Sequence, residues 1–335
     1  MARTGIGQDG FLRVKKETTY GTADTTSMTL WPVKPEALVK SMREQIENDN
    51  LISSRLKQLP NIGREVSSFE IPIDAHPTLL GQIFQFLLGA STNGTVTDGT
   101  YVHTWLAPIT GSSVGYSFTV QQALGSDLAD TYAGAQIHEL KVSGDSQGKI
   151  LLTLTGTCEG VDSQGVARIT SFSYPTATPL NFSMASLVID PADAAEFTQL
   201  INSFELTINL GLDADRFKMG SAQQSRPLIN TIPAVTLTAN IDADKQFLNA
   251  ARAQTTYDLA LTITSTEYAA GTTPYLFAVE IPRALLKADT EISGANDTLS
   301  MDVEFDCGYG GVTTGSGATL VMAEVRVRDA VATYA

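Results

Sequence analysis

A run of structural elements that occurs twice in the chain constrains the fold more than any other feature. Residues 42–89 contain a strand, a long polar loop, a second strand, Asp74 and a helical pattern. Residues 204–254 repeat this order, with Asp242 in the place of Asp74. Apolar positions of the second strand and of the helix then coincide as well. Because internal self-similarity of this kind marks a duplicated unit, we predict two copies of one domain.

The later parts of the two halves match in the same order. Residues 142–144 (VSG) correspond to residues 292–294 (ISG). After a one-residue slip the following strand corresponds too, with Leu152 over Met301, Leu154 over Val303 and Cys158 over Cys307. The two cysteines are therefore either a disulfide or metal pair, or two copies of one small core residue. The second interpretation is favoured, since neither CxxC nor Cys/His spacing is present.

The repeat sets the domain boundaries. We predict an N-terminal arm at residues 1–28, a first domain at 29–166, a second domain at 167–311 and a C-terminal strand or arm at 312–335. The segment 171–181, which is rich in Ser, Thr and Pro, lies at the join between the two domains.

Strand patterns dominate both halves. Residues 298–307 alternate apolar and acidic or polar side chains, as a half-buried strand does. The clearest strand patterns lie at residues 68–73, 117–122, 150–158, 203–210, 234–241, 257–264, 276–281, 298–307 and 323–331. These short runs between Gly, Asp, Asn and Ser clusters predict a mainly β protein.

Helical spacing is found in few places. Residues 76–88 carry apolar side chains three and four positions apart, with Asp74 as the predicted cap and Gly89 as the predicted end. A weaker helix is predicted at 242–254, and the segment 191–200 is compatible with a short one. The sequence thus predicts two tandem β-sandwich domains, each with a flanking α-helix.

Charge excludes the usual nucleic-acid binders. The chain of 335 residues has 36 acidic and 22 basic side chains, for a formal net charge of −14. Proteins that grip nucleic acid do so by neutralising phosphates with Lys and Arg. Residues 1–16 lack the apolar core of a signal peptide, and the longest apolar stretch, 79–90, is too short to span a bilayer. We expect a protein made in a cytoplasm with free thiols.

The sequence contains no constellation of catalytic residues. His76, His103 and His138 form no metal-binding motif, and the DxD pairs at 213–215 and 242–244 lack the other ligands of a calcium loop. The Gly-rich segment 308–317 lacks the lysine of a phosphate loop and is predicted to be a flexible connection. We predict that the protein is not an enzyme and that it has no cofactor and no metal site.

Several segments resemble phage tail tube proteins. The opening KKETTYGT (15–22) and the segment REQIENDNLISSRLKQLPNIGREVSSFEIPIDAHPTLLGQIFQFLLG (43–89) follow the pattern of that family. In the second half, NSFELTINLGLD (202–213) resembles the family's strand that enters its long loop. The matched features are the acidic strand end Glu44 and Glu47, Ser54-Arg55, Gly63, the strand Phe69–Ile73 and Leu88-Gly89.

The resemblance implies a fold and a mode of assembly. In the family, two packed antiparallel sheets are flanked by a helix, and six such domains form a ring whose inner sheets join into a β-barrel. Rings stack through the long loop, which corresponds here to residues 48–64 and 213–232. The expected inter-ring contacts are Arg55, Leu59, Pro60, Arg64, Arg216, Phe217, Met219 and Arg226. The expected helix residues flanking the wall are Leu79, Ile83, Phe84, Leu87, Phe247 and Leu248.

The duplication predicts the ring. Three chains with two wall domains each would close a trimeric, pseudo-sixfold ring, and the alternative is a hexamer whose second domain decorates the outside. The resemblance further implies a tape measure protein, a tail terminator and tail-tip proteins as partners, assembly in the host bacterial cytoplasm, and double-stranded DNA that passes without specific binding. An acidic inner wall would suit that passage.

Two other classes of function remain as alternatives. A capsid decoration protein or a tail-tip adhesin would also be a β-rich virion protein, but it would not need to polymerise. A glycan-active or other β-rich enzyme would require a cleft with paired carboxylates.

Overall fold

The computed structural model describes residues 10–47, 60–95, 98–107, 115–123, 128–146, 148–167, 175–189, 201–242, 249, 252–253, 256–287, 292–293, 300–308, 310–314 and 317–334. The described chain is mainly β, as predicted. Its strands are β1 (Phe11–Lys16), β2 (Thr29–Trp31), β3 (Leu38–Ile46), β4 (Asn61–Asp74), β5 (Thr92–Thr95), β6 (Tyr101–Leu106), β7 (Phe118–Ala123), β8 (Leu128–Asp145), β9 (Leu151–Cys158), β10 (Gly160–Ala167), β11 (Ala185–Ile189), β12 (Ile201–Asn209), β13 (Ala234–Asp242), β14 (Thr256–Ala270), β15 (Thr273–Leu286), β16 (Ile292–Ser293), β17 (Ser300–Cys307), β18 (Gly310–Thr314), β19 (Gly317–Val321) and β20 (Glu324–Asp329). The helix α1 (Pro77–Leu88) lies between β4 and β5, and Phe182–Met184 form a 3₁₀ turn.

One antiparallel sheet, which we call the inner sheet, contains strands from both halves of the chain. Its strands follow the order β3-β4-β9-β8-β12-β13-β17-β16. The strands β8 and β12 join the halves, with Val142 opposite Leu206 and Ser143 opposite Glu205. Within the described residues the inner sheet is open and does not close into a barrel. At one end β3 pairs only with β4, and at the other end the far edge of β17 pairs with β16 and with the last residues of β15, which belongs to the outer layer.

The two halves of the inner sheet have matching registers. Each half contributes four strands in the same order, β3-β4-β9-β8 and then β12-β13-β17-β16. The corresponding pairs are Val39↔Phe69 with Leu206↔Leu237, Phe69↔Gly156 with Leu237↔Phe305, and Leu152↔Val142 with Met301↔Ile292. For β4, β9 and the end of β8, these pairs agree with the residue correspondence of the sequence repeat.

Two further strand sets form the outer layer of the molecule. The first has the order β2-β1-β7-β8-β10, and the second has the order β11-β14-β15-β20-β6-β5. The long strand β8 takes part in both layers, since its first part pairs with β7 and β10 and its second part with β9 and β12. Because β6 belongs to the first half and β20 to the second, the halves interlock in the outer layer too.

The helix α1 is buried on nearly all sides between the two outer strand sets. All of its residues except Thr78 and Gln82 are buried. The ring of Phe86 stacks on Phe118 of β7 with 4.5 Å between the ring centroids, and Phe84 stacks on Phe277 of β15 at 5.4 Å. A helix buried to this extent belongs in a core, and α1 packs against strands of both halves of the chain.

The predicted start of this helix is wrong in one detail. Asp74 does not cap α1, because β4 continues through Asp74, which lies opposite Leu151 in β9. His76 occupies the N-cap position without a side-chain capping bond, and Pro77 begins the helix. The predicted end is confirmed, since Gly89 adopts a φ of 87° and its N–H bonds the carbonyl of Gln85.

Two predicted loops are shorter in the structure. Residues 61–64, placed in the first long loop, belong to β4, because the pairing of β3 with β4 extends to Ile46 opposite Asn61. The Gly-rich segment 308–317 is not a plain connection, since its β-branched residues pair in the hairpin of β18 and β19. Of the second predicted helix, residues 249 and 252–253 are described and are helical. The segment 191–200, Arg55, Leu59, Phe247 and Leu248 lie outside the described residues.

The two halves fill one equivalent core position from opposite strands. In the first half, β4 supplies Phe69 and β9 supplies Gly156 opposite it. In the second half, β13 supplies the smaller Leu237 and β17 supplies Phe305. All three large side chains are buried. A glycine is required at 156, because a Cβ there would overlap the carbonyl oxygen of Gln136 and the ring of Phe69.

We expect Gly156→Ala to lower the free energy of unfolding by about 1–3 kcal/mol, the usual cost of overpacking a core. Gly94→Ala is the matched control, because the nearest atom to its added Cβ is the Val102 carbonyl oxygen at 3.9 Å. That exposed substitution should change stability by no more than about 0.5 kcal/mol. Denaturant unfolding of both variants measures these changes, and equal losses of stability in the two variants would contradict the packing argument.

Candidate functional site

The inner sheet has one buried face and one face that is polar and open. Along β12, β13 and β17 every second residue is buried, and the residues between them are partly or fully exposed. The exposed positions of neighbouring strands lie opposite one another, for example Glu205, Thr238 and Glu304. We call this surface the polar face, and it continues across the junction of β8 with β12.

Acidic side chains outnumber basic ones on the polar face. At its strand positions the acidic residues are Glu70, Asp74, Glu139, Asp145, Glu205, Asp242, Asp302, Glu304 and Asp306, and the lysines are Lys40 and Lys141. Three further lysines, Lys34, Lys149 and Lys287, contact these acids from neighbouring segments. The sequence alone did not assign these acids to one surface. Their alternation with buried residues along each strand carries part of this information, but only the registers place them side by side.

Lysines form ion pairs with some of these acids. Lys141 lies 3.7 Å from Glu205 across the junction of the halves. Lys287, just after β15, bonds Glu304 and lies 3.5 Å from Asp306. Ion pairs this exposed add little to stability, so their main effect is to shape the field over the polar face.

Among the acids of the polar face, Asp74 contacts two lysines. Its carboxylate accepts a hydrogen bond from Lys149 at 2.9 Å and lies 3.4 Å from Lys34. Burial alone would raise the pKa of Asp74, but Lys149 and Lys34 outweigh it and hold the pKa below its usual value. An open groove of about 830 Å³ runs beside it over the junction of the halves, lined by Lys34, Asp74, Ser143, Asp145, Lys149, Ser203, Glu205, Asn240 and Asp302 among others.

The residues expected in the two long loops meet one another within the chain. The guanidinium of Arg64 lies 4.7 Å from the centre of the Phe217 ring, and its Nε donates to Glu44 at 2.8 Å. Arg216 donates to the carbonyl of Arg226 at 3.0 Å. The structure therefore brings Arg64, which lies in β4, together with Phe217 of the second long loop, a contact that the sequence did not predict.

The second long loop lies against the first half of the chain. The N–H of Glu65 in β4 donates to the carbonyl of Ala222 at 2.8 Å, and the N–H of Gln224 donates to the carbonyl of Glu159 at 3.3 Å. Met219, also expected in the loop contact, is fully exposed, and Pro60 is partly buried. Large apolar side chains are exposed nearby as well, namely Leu228 and Ile232 in this loop and Met42, Ile46 and Ile62 near the β3–β4 connection.

The helix residues expected beside the wall are core residues. Leu79, Ile83, Phe84 and Leu87 of α1 are all buried. They pack between the two outer strand sets, so they support the sheets and offer no surface to a partner.

The two cysteines do not form a disulfide. Cys158 and Cys307 are both buried free thiols, and burial raises both pKa values, that of Cys307 to about 12. No cluster of His, Cys, Asp or Glu suited to a metal is found in the described part of the chain, and no described helix is long and apolar enough to cross a membrane.

His103 ties the end of the chain to the first half. Its ring contacts the carbonyl of Val331 at 2.7 Å, Asn93 Oδ1 at 2.9 Å and Asp329 at 3.4 Å, and the side chains of His103 and Asp329 are both buried. Burial lowers the pKa of His103, but Asp329 and the Val331 carbonyl reverse this, so the pKa is raised. Tyr334 bonds Asp329, and its carbonyl accepts from Gln85 of α1.

His138 lies at a bulge in β8, where the strand passes between the layers. The register of β8 against β9 shifts between Ile137 and Glu139, and Thr157 Oγ1 lies 2.9 Å from His138 Nε2. Burial lowers the pKa of His138 to about 4. The folded chain therefore keeps this ring neutral where the unfolded chain is already protonated.

We expect acid to destabilise the fold through His138. The unfolded ring binds a proton near pH 6.5 and the folded ring only near pH 4, so stability falls between these values, by at most about 3 kcal/mol. His138→Gln should therefore gain stability relative to the wild type as the pH falls. His103→Gln should lose more relative to the wild type at low pH, because the raised pKa of His103 gives stability below about pH 6.5. Thermal unfolding of the three proteins from pH 8 to 4 measures this, and parallel curves would refute it.

Comparison with known proteins gives one clear result. A search of the curated proteins found no match. The family model described as "Phage tail tube protein" matches residues 7–325, nearly the whole chain. The chain therefore belongs to the phage tail tube protein family.

Proposed function

We propose that this chain assembles into stacked rings that form the wall of a phage tail tube, through which DNA leaves the capsid. The observation that carries the proposal is the inner sheet, in which both halves share one acidic, exposed face and β3 and β16 have unpaired outer edges among the described residues. Unpaired edges invite pairing with another chain, and a closed ring removes them. The partners expected from the family are the tape measure protein, the tail terminator and the tail-tip proteins.

The proposed ring contains three chains. Because β12, β13 and β17 extend the sheet of the first half, the second half is proposed to belong to the wall in the same way as the first. Three chains would then supply six wall units around a pseudo-sixfold axis. A hexamer whose second half decorates the outside would need the sheet to break at the β8–β12 junction, where a continuous ladder runs from Ser203↔Asp145 to Asn209↔Glu139.

The polar face is proposed to line the channel. DNA carries a negative charge about every 1.7 Å of its axis, so an acidic wall repels it. Screening limits this repulsion to about 8 Å at physiological salt, which confines it to DNA that approaches the wall. Passage without binding needs only such short-range repulsion.

Negative-stain electron microscopy of the purified chain over a concentration series tests the proposal. Rings or tubes with threefold or pseudo-sixfold end views are expected. A particle that stays monomeric at every concentration, also when tail-tip complexes are added as seeds, would overturn the ring and favour a decoration protein or an adhesin.

We expect Met219→Glu to shorten tubes or stop stacking while single rings persist. Met219 is fully exposed in the second long loop, so the charge should not disturb folding but should oppose an apolar contact between rings. Thr264→Glu, on the exposed face of β14 in the outer layer, adds the same charge away from this loop. Tube lengths measured by microscopy at equal concentration compare the two, and normal tubes with Met219→Glu would remove this loop from the stacking contact.

A further inference from the structure

The inner sheet ends in two strands that each pair with a strand on one side only within the described chain. At one end β3 pairs only with β4, and at the other end β16 pairs only with β17. An unpaired strand edge presents a row of backbone N–H and C=O groups with which a strand of another chain can pair.

The junction inside the chain is a template for what covers these edges. In the first half, Val39 lies opposite Phe69, and Phe69 lies opposite Gly156 of β9. Further along β9, Leu152 pairs with Val142 of β8. In the second half, Leu206 lies opposite Leu237, and Leu237 lies opposite Phe305 of β17. Met301 of β17, at the same spacing along the strand as Leu152 on β9, pairs with Ile292 of β16. Val39 thus holds the position of Leu206, and Ile292 holds that of Val142. Inside the chain, Val142 and Leu206 lie opposite each other in the antiparallel ladder of β8 and β12.

We infer that β3 of one copy pairs antiparallel with β16 of a second copy, with Val39 opposite Ile292 and Leu38 opposite Ser293. The inference rests on the ring proposed above and specifies which strands close it and in which register. The occupant of each free edge is therefore the other free edge of an identical chain, which is the condition for a closed, head-to-tail ring.

The backbone N–H of Val39 is oriented toward the free edge of β3. Its N–H donates to Oε1 of Gln122 at 2.8 Å, and Gln122 is a buried side chain of β7. Residues of an antiparallel pair alternate between positions that exchange both backbone bonds and positions that exchange none. Because this N–H is bonded outside the ladder with β4, Val39 directs it toward the free edge. In a single chain Gln122 caps this donor, and the second copy replaces that bond by a ladder.

A pair of cysteines tests the register. With Val39 and Ile292 bonded to each other, Leu38 and Ser293 form the adjacent non-bonded pair, whose Cα atoms lie about 4.5 Å apart. Disulfides require about 4.4–6.8 Å. In Leu38→Cys/Ser293→Cys rings, oxidation should therefore link the chains, and a non-reducing gel should show covalent trimers.

The control variant is Lys40→Cys/Ser293→Cys. Position 40 lies on the same strand and face as position 38, but two residues further along. Its diagonal distance to 293 would be about 7–8 Å, beyond the reach of a disulfide, so these rings should stay unlinked. Leu38→Cys alone gives the background from the buried Cys158 and Cys307.

The outcomes separate the register from the ring. Rings that link through position 40, or through neither position, overturn the inferred register while the ring stands. A wild-type chain that forms no rings overturns both. If the double variant does not fold, an equimolar mixture of the two single-cysteine chains tests the same contact. Covalent dimers found only in that mixture support the register, and unlinked rings oppose it.

Discussion

The hydrogen-bonded junction of β8 with β12 is the constraint on which the rest of this molecule depends. A buried backbone N–H or carbonyl without a partner costs about as much as a lost hydrogen bond, so two sets of strands that meet edge to edge gain by sharing one ladder. Seven opposed residue pairs do so here, from Ser203↔Asp145 to Asn209↔Glu139. The ladder fixes the register, and the register decides which side chains are buried. Slipping it by one residue would turn Leu206 and Ile208 out of the core and bring Glu205 into it, a change that the buried face does not permit.

The outer layer holds the same junction from the other side. The helix α1 contacts both halves through Phe84 and Phe86, and β6 pairs with β20, which follows the second half of the repeat. His103, Asp329 and Tyr334 then fasten the end of the chain beside α1. Since closely packed interiors transmit strain, the angle between the halves is fixed by these contacts and not by the inner ladder alone. Such a fixed angle would suit the closed ring proposed above.

The sequence predicted the existence of strands and helices better than it predicted which strands pair with one another. Period-two alternation revealed the strand around Val303, and helical spacing revealed α1, because both patterns report burial on one face. Alternation does not say which strand lies beside which, so the pairing of β8 with β12 and of β6 with β20 was missed. The edge strand β3 was not located along its length, because its charged residues Arg43 and Glu44 hide the pattern. Asp74 was assigned to a cap for a similar reason: sequence spacing did not reveal that Lys34 and Lys149 would hold it at a strand end.

The two halves differ in their outer layer, and this difference limits the symmetry of any assembly. The first half carries β5 and β6 between α1 and β7, whereas the second half resumes with β14 at Thr256, soon after its helical residues 252–253. The second half instead carries the hairpin of β18 and β19, where the first passes from β9 to β10 through Glu159 alone. Within the chain, β6 of the first half pairs with the outer edge of β20. The described second half contains no corresponding strand that could pair with β10, which pairs only with β8 among the described residues. Three chains joined through their inner sheets would therefore repeat six times inside and only three times outside, with β10 uncovered at each contact between chains.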